Sequence, residues 1–598
     1  MTDFSKNARA HTESGANRGE THLADAEERR RALHPSVSFH LEAPAGSGKT
    51  FLLTARYLRL LGIVKHPGQI LAMTFTNKAA AEMQQRVLSR LESASNSAPP
   101  KDDLEAEMRE LARQAMGRHR QRWELIRSGG ALRIQTFHSF CYGLVTQSPL
   151  EAGIAPGATL LGELDQTIFM RDAIKQTLDA IMKRAPSDAY RQALENRLLF
   201  LNNSWPHLVQ ELEDLLGRRE LLGDLIQVMD RQRTEDYVLD GIRSMVEADL
   251  RILRRGFECS SLGTAWGNFL EDLASHGADA VNVLPTDIPS TEWESGLASW
   301  QNMASILLTK DGGVRKQVGP KTGFYSGFSK SEHFGRMQDL DASAVAALGR
   351  IRALPAPGAA LPDMESLWDL VLLLHALMEA YEEKRRRHRV LDFCALEIAA
   401  LRLLDQMEPS DLQLLLDQQL QHLLVDEFQD TNRQQWLLLQ RLCAEWTPGD
   451  GRSLFVVGDP KQSIYGFRKA EVRLFLEARE GLPVDAFHRV PVESLVLRTN
   501  FRSRGTLIEW CNEVFSETVM SDPRPDLDEV PFTSAVCSPG NDPGAEHQPI
   551  ELALFGAIPD ARTARQREAA WIASRIASEC GQSRDGEEST GILLYART

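Results

Sequence analysis

The sequence predicts an α/β fold: a parallel sheet interrupted by a large helical insertion and followed by a partial second α/β unit. Three observations carry that expectation. A strand, a glycine-bearing loop and a helix succeed one another over residues 37–61; a second apolar strand near 422–425 runs directly into two acids; and between about 141 and 420 helical periodicity replaces the strand pattern. Strands alternating with helices build parallel sheets.

The chain has 598 residues, enough for several domains at roughly 100–200 residues each. Apolar residues make up 42% and charged residues 25%, the composition of a water-soluble globular protein. A net charge of −15 excludes an overall basic coat, though not a local basic groove. The seven cysteines are scattered and form no CxxC pair, which points to a reduced, cytoplasmic protein without a zinc or iron–sulfur site. No signal-like N-terminus and no long apolar run occur, so no membrane association is expected. The expected divisions are a disordered tail at 1–22, the first part of an α/β domain at 23–140, a mainly helical insertion at 141–420, the second part of that domain at 421–490, and a partial second domain at 491–598.

The loop Ala43-Pro-Ala-Gly-Ser-Gly-Lys-Thr50 has the spacing of a phosphate-binding loop, with Ala43 in place of the usual first glycine. Val37, Phe39 and Leu41 precede it on one strand face, and Phe51 to Leu61 continue it as a helix. Gly46 and Gly48 permit a tight turn that aims backbone N–H groups at phosphates, and the helix N-terminus adds partial positive charge. Ala43, Pro44, Ala45, Gly46, Ser47 and Gly48 would then line a nucleoside triphosphate, Lys49 would neutralise its β/γ-phosphates, and Thr50 would ligate Mg²⁺. Upstream, residues 23–33 read as a charged helix in which Glu27 or Glu28 stands where a base-reading side chain is expected; a solvated helix accounts for them equally.

Next in order, the strand Gln69 to Thr76 enters a helix through Asn77 and Lys78, and a strand from Ala131 ends in Thr136, Phe137, His138 and Ser139. The carboxyl ends of parallel strands are where open α/β sheets bind ligands. Thr74, Phe75, Asn77 and Lys78 therefore become candidate ligand contacts. For His138 a ligand contact and a structural role weigh equally. In the insertion, the stretch from Leu307 to Tyr325 mixes Lys310, Arg315, Lys316 and Lys321 with Phe324 and Tyr325, which suits either nucleic-acid contact or an ordinary solvated loop. Residues 354–362 read as a linker.

After the insertion, His422-Leu-Leu-Val-Asp-Glu427 is a buried strand ending in two carboxylates. One acid can hold Mg²⁺ while the next takes a proton from an attacking water. The strand Ser453 to Asp459 leads to Gln462, a neutral side chain suited to a γ-phosphate, and to Tyr465, Phe467, Arg468 and Lys469, flat and cationic groups suited to bases and phosphates or, for the aromatics, to the core. Ser494 to Ser503 then begins the second unit. It offers Arg502 toward a γ-phosphate and Phe501 toward an adenine. Residues 548–555 and 591–598 read as strands and 567–577 as a helix.

Taken together, APAGSGKT, TFTNKAAAEM, QTFHSF, LVDEFQDTNRQQ, VGDPKQSIYGFRKA and LRTNFRS resemble, in order, motifs I, Ia, Ib, II, III and IV of superfamily 1 DNA helicases of the UvrD/RecB type. LDFCAL at Leu391 and the long insertion point to the RecB/AddA-like branch. The resemblance spans residue 24 to the last residue. It implies RecA-like P-loop NTPase domains, ATP and Mg²⁺ as nucleotide and cofactor, and 3′-to-5′ movement on single-stranded or tailed duplex DNA in repair or recombination. By motif position, Asp426 matches the Mg²⁺ acid, Glu427 the catalytic base, Gln462 the γ-phosphate sensor, Arg502 the motif IV arginine and Phe501 the adenine stacker. Phe75, Phe137, His138, Tyr465 and Phe467 match DNA-touching positions. Motifs V and VI have no counterpart, which implies a chain truncated before them. Three functions stay open: a helicase or its N-terminal part, the motor of a helicase–nuclease with a partner subunit, and a nucleotide-dependent DNA-binding fragment with little turnover.

Overall fold

The structure, a computed structural model, describes residues 23–94, 100, 103–119, 130–222, 230–340, 342–354, 356, 364–405, 420–464, 466, 470–484, 488–516, 520, 530–539 and 561–580. Six short strands form one parallel sheet: β1 (Phe39–Glu42), β2 (Ile70–Thr74), β3 (Arg133–Thr136), β4 (His422–Val425), β5 (Ser453–Gly458) and β6 (Glu493–Val496). Their spatial order is β6-β1-β5-β4-β2-β3. The chain winds outward from β1 to β3, then returns to fill the gap with β4 and β5. As a result β1, β5 and β4 end side by side at the carboxyl edge, the ligand-binding edge of such sheets. Register places Leu41 opposite Val457, and Leu424 between Phe455 and Ala72.

Helices cover both faces, as a parallel sheet requires. On one side α2 (Lys49–Leu61), α3 (Asn77–Ser93) and α4 (Asp103–Arg118) meet Phe39, Leu41, Leu424, Phe455 and Val457. On the other, α5 (Phe137–Gln147), α14 (Phe393–Leu404) and α15 (Arg433–Leu442) meet Leu423, Val425, Leu454 and Val456. The alternation along β4 and β5 follows from the pleat. β1 departs from it, since the alternate residues His40 and Glu42 are polar and buried. Before the sheet stands the short α1 (Ala26–Ala32). The Arg56 guanidinium, on α2, is fully buried and donates to the carbonyls of Ala32, His34 and Val37, fastening the end of α1 and the approach to β1.

The insertion has two cores of its own. The helices α6 (Glu163–Met182), α7 (Ala189–Phe200) and α8 (Trp205–Gly217) pack with α13 (Met364–His388) around Ile174, Leu194, Leu212 and Leu377. The helices α9 (Arg231–Cys259), α10 (Trp266–Ser275), α11 (Trp293–Leu307) and α12 (Ala342–Ile351) pack around Phe257, Phe269, Trp300 and Leu348. α14 and most of α5, from residue 141 on, expected inside the 141–420 insertion, belong instead to the core of the sheet.

Two expectations change here. The segment beginning at Ser494 does not open a second unit: β6 is the edge strand of the first sheet, beside β1. Beyond it comes a separate two-stranded parallel pair, β7 (Thr499–Asn500) and β8 (Val536–Cys537). The basic, aromatic stretch of the insertion is largely packing. Arg315 donates to the carbonyls of Ser305 and Ile306 at the end of α11, Phe324 is 1% exposed, and Tyr325 stacks on His276 with ring centroids 4.1 Å apart. Lys310, Lys316 and Lys321 stay exposed. The expected helix at 567–577 lies within Ala561–Cys580, while the expected strands at 548–555 and 591–598, the tail at 1–22 and most of the 354–362 linker fall outside the described residues. Among the described residues no helix is long and apolar enough to cross a membrane.

Candidate functional site

Between β1 and α2 the loop turns on Gly46 and Gly48, both left-handed at φ +79° and +77°. Only glycine adopts that region without strain. A Cβ on Gly46 would also lie 2.6 Å from Asn500 Oδ1, so the position has no room for a side chain. The N–H of Ala43 donates to Gly458 O of β5 at 2.9 Å, and that of Ser47 to Pro44 O at 3.0 Å, so these two amides fasten the loop to the sheet and to itself. Ala45 is exposed, and Ser47 Oγ is buried without a partner. Lys49 and Thr50 open α2, where a first helical turn leaves N–H groups unpaired.

The acids of β4 converge on this lysine. Lys49 Nζ lies 2.5 Å from Glu427 Oε2 and 3.7 Å from Asp426 Oδ1. Burial first, and Glu427 beside it, push the Asp426 carboxyl above its ordinary range against the pull of Lys49. Glu427 holds φ +54°, a backbone conformation rare outside glycine. Its carboxylate accepts a hydrogen bond from Gln429 Nε2 at 2.9 Å, while Gln429 Oε1 accepts from the Asp459 N–H at 3.0 Å. Gly458 makes room for this wedge, since a Cβ there would lie 2.4 Å from Gln429 Oε1. Asp430, buried beside Glu427, is pushed up to about 6 by desolvation and that neighbouring charge. Gln462 is exposed at the end of β5, and its amide donates to Asp459 Oδ2 at 2.6 Å.

Residues 500–502 lie over the loop. The Phe501 N–H donates to Gly46 O at 2.8 Å, and Asn500 Nδ2 donates to Ala45 O at 3.1 Å. Asn500 Oδ1 accepts from the amides of Arg502 and Ser503. Arg502 is exposed at this edge. The Phe501 ring lies against Gly48, with the Arg29 guanidinium 5.1 Å from its centroid. Arg29 also donates to Ser47 O at 2.7 Å and is held by Asp25. Asp25 in turn accepts from the amides of Arg498 and Thr499 and from the Thr499 hydroxyl. Burial opposes its ionisation, yet these bonds keep its carboxyl below the usual range. So α1 does face the site, through Arg29 and Asp25 rather than through the expected Glu27 or Glu28.

The ends of β2 and β3 are less open than expected. Thr74 is 1% exposed and its hydroxyl donates to Thr76 O, so it is part of the turn. Phe137 is 3% exposed and packs in the core with Phe140 and Leu144; burial replaces the expected ligand contact. His138 is partly exposed, stacks on Phe393 at 4.3 Å and reaches Glu397 at 3.2 Å. Glu397 is buried; hydrogen bonds from His138, Gln435 and Asn432 overcome that burial and hold its carboxyl low. Phe75 is half-buried, and Asn77 and Lys78 are exposed at the start of α3. Tyr465, Phe467, Arg468 and Lys469 fall outside the described residues.

A glycine-turned loop at a helix N-terminus, a lysine held between two strand-end acids, and an aromatic–arginine pair thus meet at one end of the sheet. Residues 24–242 and 370–483 match the UvrD/REP helicase N-terminal domain. The chain belongs to this family. The stretch between the two matched blocks contains most of α9 and all of α10 to α12, the lobe with the second insertion core. This helicase-family chain is 25% identical over 527 residues to an ATP-dependent helicase/nuclease subunit of Acetivibrio thermocellus, covering 82% of the chain and 39% of the relative. It is 27% identical over 514 residues to the protein of the same name from Exiguobacterium sibiricum, covering 82% and 40%, and 28% identical over 550 residues to that from Heliobacterium modesticaldum, covering 79% and 36%. The chain thus spans about two fifths of the length of the curated relatives it matches.

Proposed function

We propose that the chain is the ATP-driven motor portion of a DNA helicase, coupling ATP hydrolysis to 3′-to-5′ movement on single-stranded or tailed duplex DNA in repair or recombination. The observation that carries this reading is Lys49 between Asp426 and Glu427 at the mouth of the loop. In this assignment the six-stranded sheet is a first RecA-like domain, α6 to α13 are an inserted subdomain, and the residues after β6 begin a second RecA-like domain. Lys49 and the α2 N-terminus hold the β/γ-phosphates. Glu427, hydrogen-bonded by Gln429, takes the proton of the attacking water. Thr50 and Asp426 would hold Mg²⁺, which supplies charge neutralisation on the phosphates. The donor set fits, with a hydroxyl at the helix start and a buried carboxylate across from it. Gln462 and Arg502 face the γ-phosphate, and Phe501 with Arg29 stacks on the base. Phe75, Asn77, Lys78 and His138 touch DNA, together with the loop after Gln462.

The relatives' shared description as one subunit of a helicase/nuclease favours a second, narrower reading, in which this motor works beside a partner protein, in a cytoplasmic complex. ATP turnover by the purified chain, with and without single-stranded DNA, tests the motor itself. Glu427→Gln should lower the DNA-stimulated kcat by about 10²–10⁴, the worth of a positioned general base, while ATP still binds. Equal turnover by the variant would remove Glu427 from the chemistry.

A further inference from the structure

Beneath the phosphate loop lies a carboxylate that the proposed hydrolysis does not use. Glu42 is the last residue of β1 and immediately precedes Ala43. Its side chain is 2% exposed. The strand partners in register are Gly458 and Val496, so it stands between β5 and β6 at their carboxyl ends. Glu42 Oε1 accepts from Lys461 Nζ at 2.9 Å and from the Thr533 hydroxyl at 2.6 Å, and Oε2 accepts from Arg479. A buried charge is stable only when paired and hydrogen-bonded, and Glu42 has two cations and a hydroxyl. Burial opposes its ionisation, but Lys461, Thr533 and Arg479 outweigh it and keep the carboxyl low.

The partners matter more than the pairing. Lys461 adjoins Gln462, and Lys461 Nζ also lies 3.8 Å from Asp459 Oδ1. Asp459 Oδ1 accepts the Lys461 N–H at 3.1 Å, and its Oδ2 accepts the Gln462 amide at 2.6 Å. One continuous polar chain therefore runs from Glu42 through Lys461 and Asp459 to Gln462. Thr533 comes from the segment leading into β8, which pairs with β7, the strand that carries residues 500–502 over the loop. Glu42 so touches three things at once: the root of the phosphate loop, the segment that ends in Gln462, and the segment behind Phe501 and Arg502.

We propose that Glu42 is a positioning residue that, through Lys461, sets Gln462 for the terminal phosphate, so that the site distinguishes a nucleoside triphosphate from a diphosphate. The inference rests on the nucleotide-site reading above and adds to it a source of γ-phosphate discrimination. A merely structural Glu42 would shift affinity for both nucleotides together, because the α- and β-phosphates and the base bind to other groups. A positioning Glu42 affects only the nucleotide that carries a γ-phosphate.

The experiment measures Kd for Mg²⁺-ATP, as a slowly hydrolysed analogue, and for Mg²⁺-ADP, by calorimetry on the whole chain. Wild type is compared with Glu42→Gln and with Lys461→Met, the latter a side chain at the edge of the network whose loss the fold tolerates more readily. Both variants should weaken triphosphate binding roughly 10- to 100-fold, the worth of one charge-assisted hydrogen bond, and leave ADP within about twofold. An unchanged ADP-to-ATP ratio in both variants, whether through equal losses or none, overturns the proposal while the nucleotide site stands. A wild-type chain that binds neither nucleotide overturns the site reading and this inference with it.

Discussion

One sheet edge carries two differently built regions. At the ends of β1, β4 and β5, charged and polar side chains converge: Lys49 on Asp426 and Glu427, Gln429 on Glu427, Lys461 on Glu42. At the ends of β2 and β3 the corresponding positions point apart, with Thr74 and Phe137 buried, His138 tied down to Glu397, and Phe75 half-buried. Phosphate chemistry needs opposite charges brought within a few ångströms, so the residues that serve it must meet. A groove that tracks a strand of nucleic acid needs only a row of separate contacts. An aromatic at a strand end is therefore a weaker signal than a charge, because the core wants it as much as a base does.

The sharpest way to break that comparison is to truncate its two phenylalanines. Phe137→Ala removes a ring from the core that α5 shares with α14, and should cost about 3–5 kcal/mol of stability, read as a lowered Tm or urea midpoint. Phe75→Ala should leave Tm within a few degrees and weaken single-stranded DNA by about 1–3 kcal/mol if its ring stacks on a base. Should Phe137→Ala lose DNA affinity at unchanged stability, the division between the two ends of the edge is wrong.

Legibility in the sequence divides along the same line. Lys49, Asp426 and Glu427 stand out because their residue types at strand and helix ends suit few other purposes, and the geometry unites them. Phe137 carries two signals at once. Phe137, Phe140, Cys141, Leu144 and Val145 recur at helical spacing, so the residue belongs to the buried stripe of α5 as much as to the end of β3. The assignment of β6 was not legible, since a short apolar strand states no sheet membership; pairing with β1 is settled by a partner some 450 residues away. The same distance hid Asp25 and Arg29. Their spacing reads as a solvated helix, and only the approach of Thr499 and Phe501 gives them work. Gly458 resembles any strand-end glycine until Gln429 is seen filling the space of its absent Cβ.

A pH titration tests the sheet that underlies both regions. His40, in β1, and His422, in β4, are both lowered to about 4, by burial first and then by nearby arginine charge, from Arg479 and Arg56 respectively. A histidine with a depressed folded pKa is protonated more readily when unfolded, so stability present above pH 6.5 is lost as pH falls toward 4. Asp430 opposes this. Raised to about 6, it binds its proton more tightly in the folded chain and gains stability over the same descent. Asp426, raised by burial, acts in the same sense as Asp430, so the loss between about pH 7 and about pH 5 should stay below about 2 kcal/mol. Urea midpoints at the two pH values check this. Replacing His422 with Gln should flatten the slope, because Gln can still bond the Ser453 hydroxyl that His422 meets at 2.9 Å.

The smallest effect tests the open end of the comparison. Lys78 begins α3 with its side chain 87% exposed, and its nearest acid, Glu82, is 4.0 Å away and itself exposed. A pair so solvated contributes almost nothing to stability. Lys78→Ala should therefore leave Tm unchanged. If Lys78 contacts a phosphate, its loss should weaken single-stranded DNA a few-fold at low salt, by the same factor for every base sequence. It should also reduce the slope of log affinity against log salt by about 0.7, the value for one phosphate contact on a single strand. A fall in affinity without that change in slope would mean the lysine acts through the helix and not on the backbone. If DNA binds this edge as proposed, its contact would then be sought at His138, whose side chain is 28% exposed.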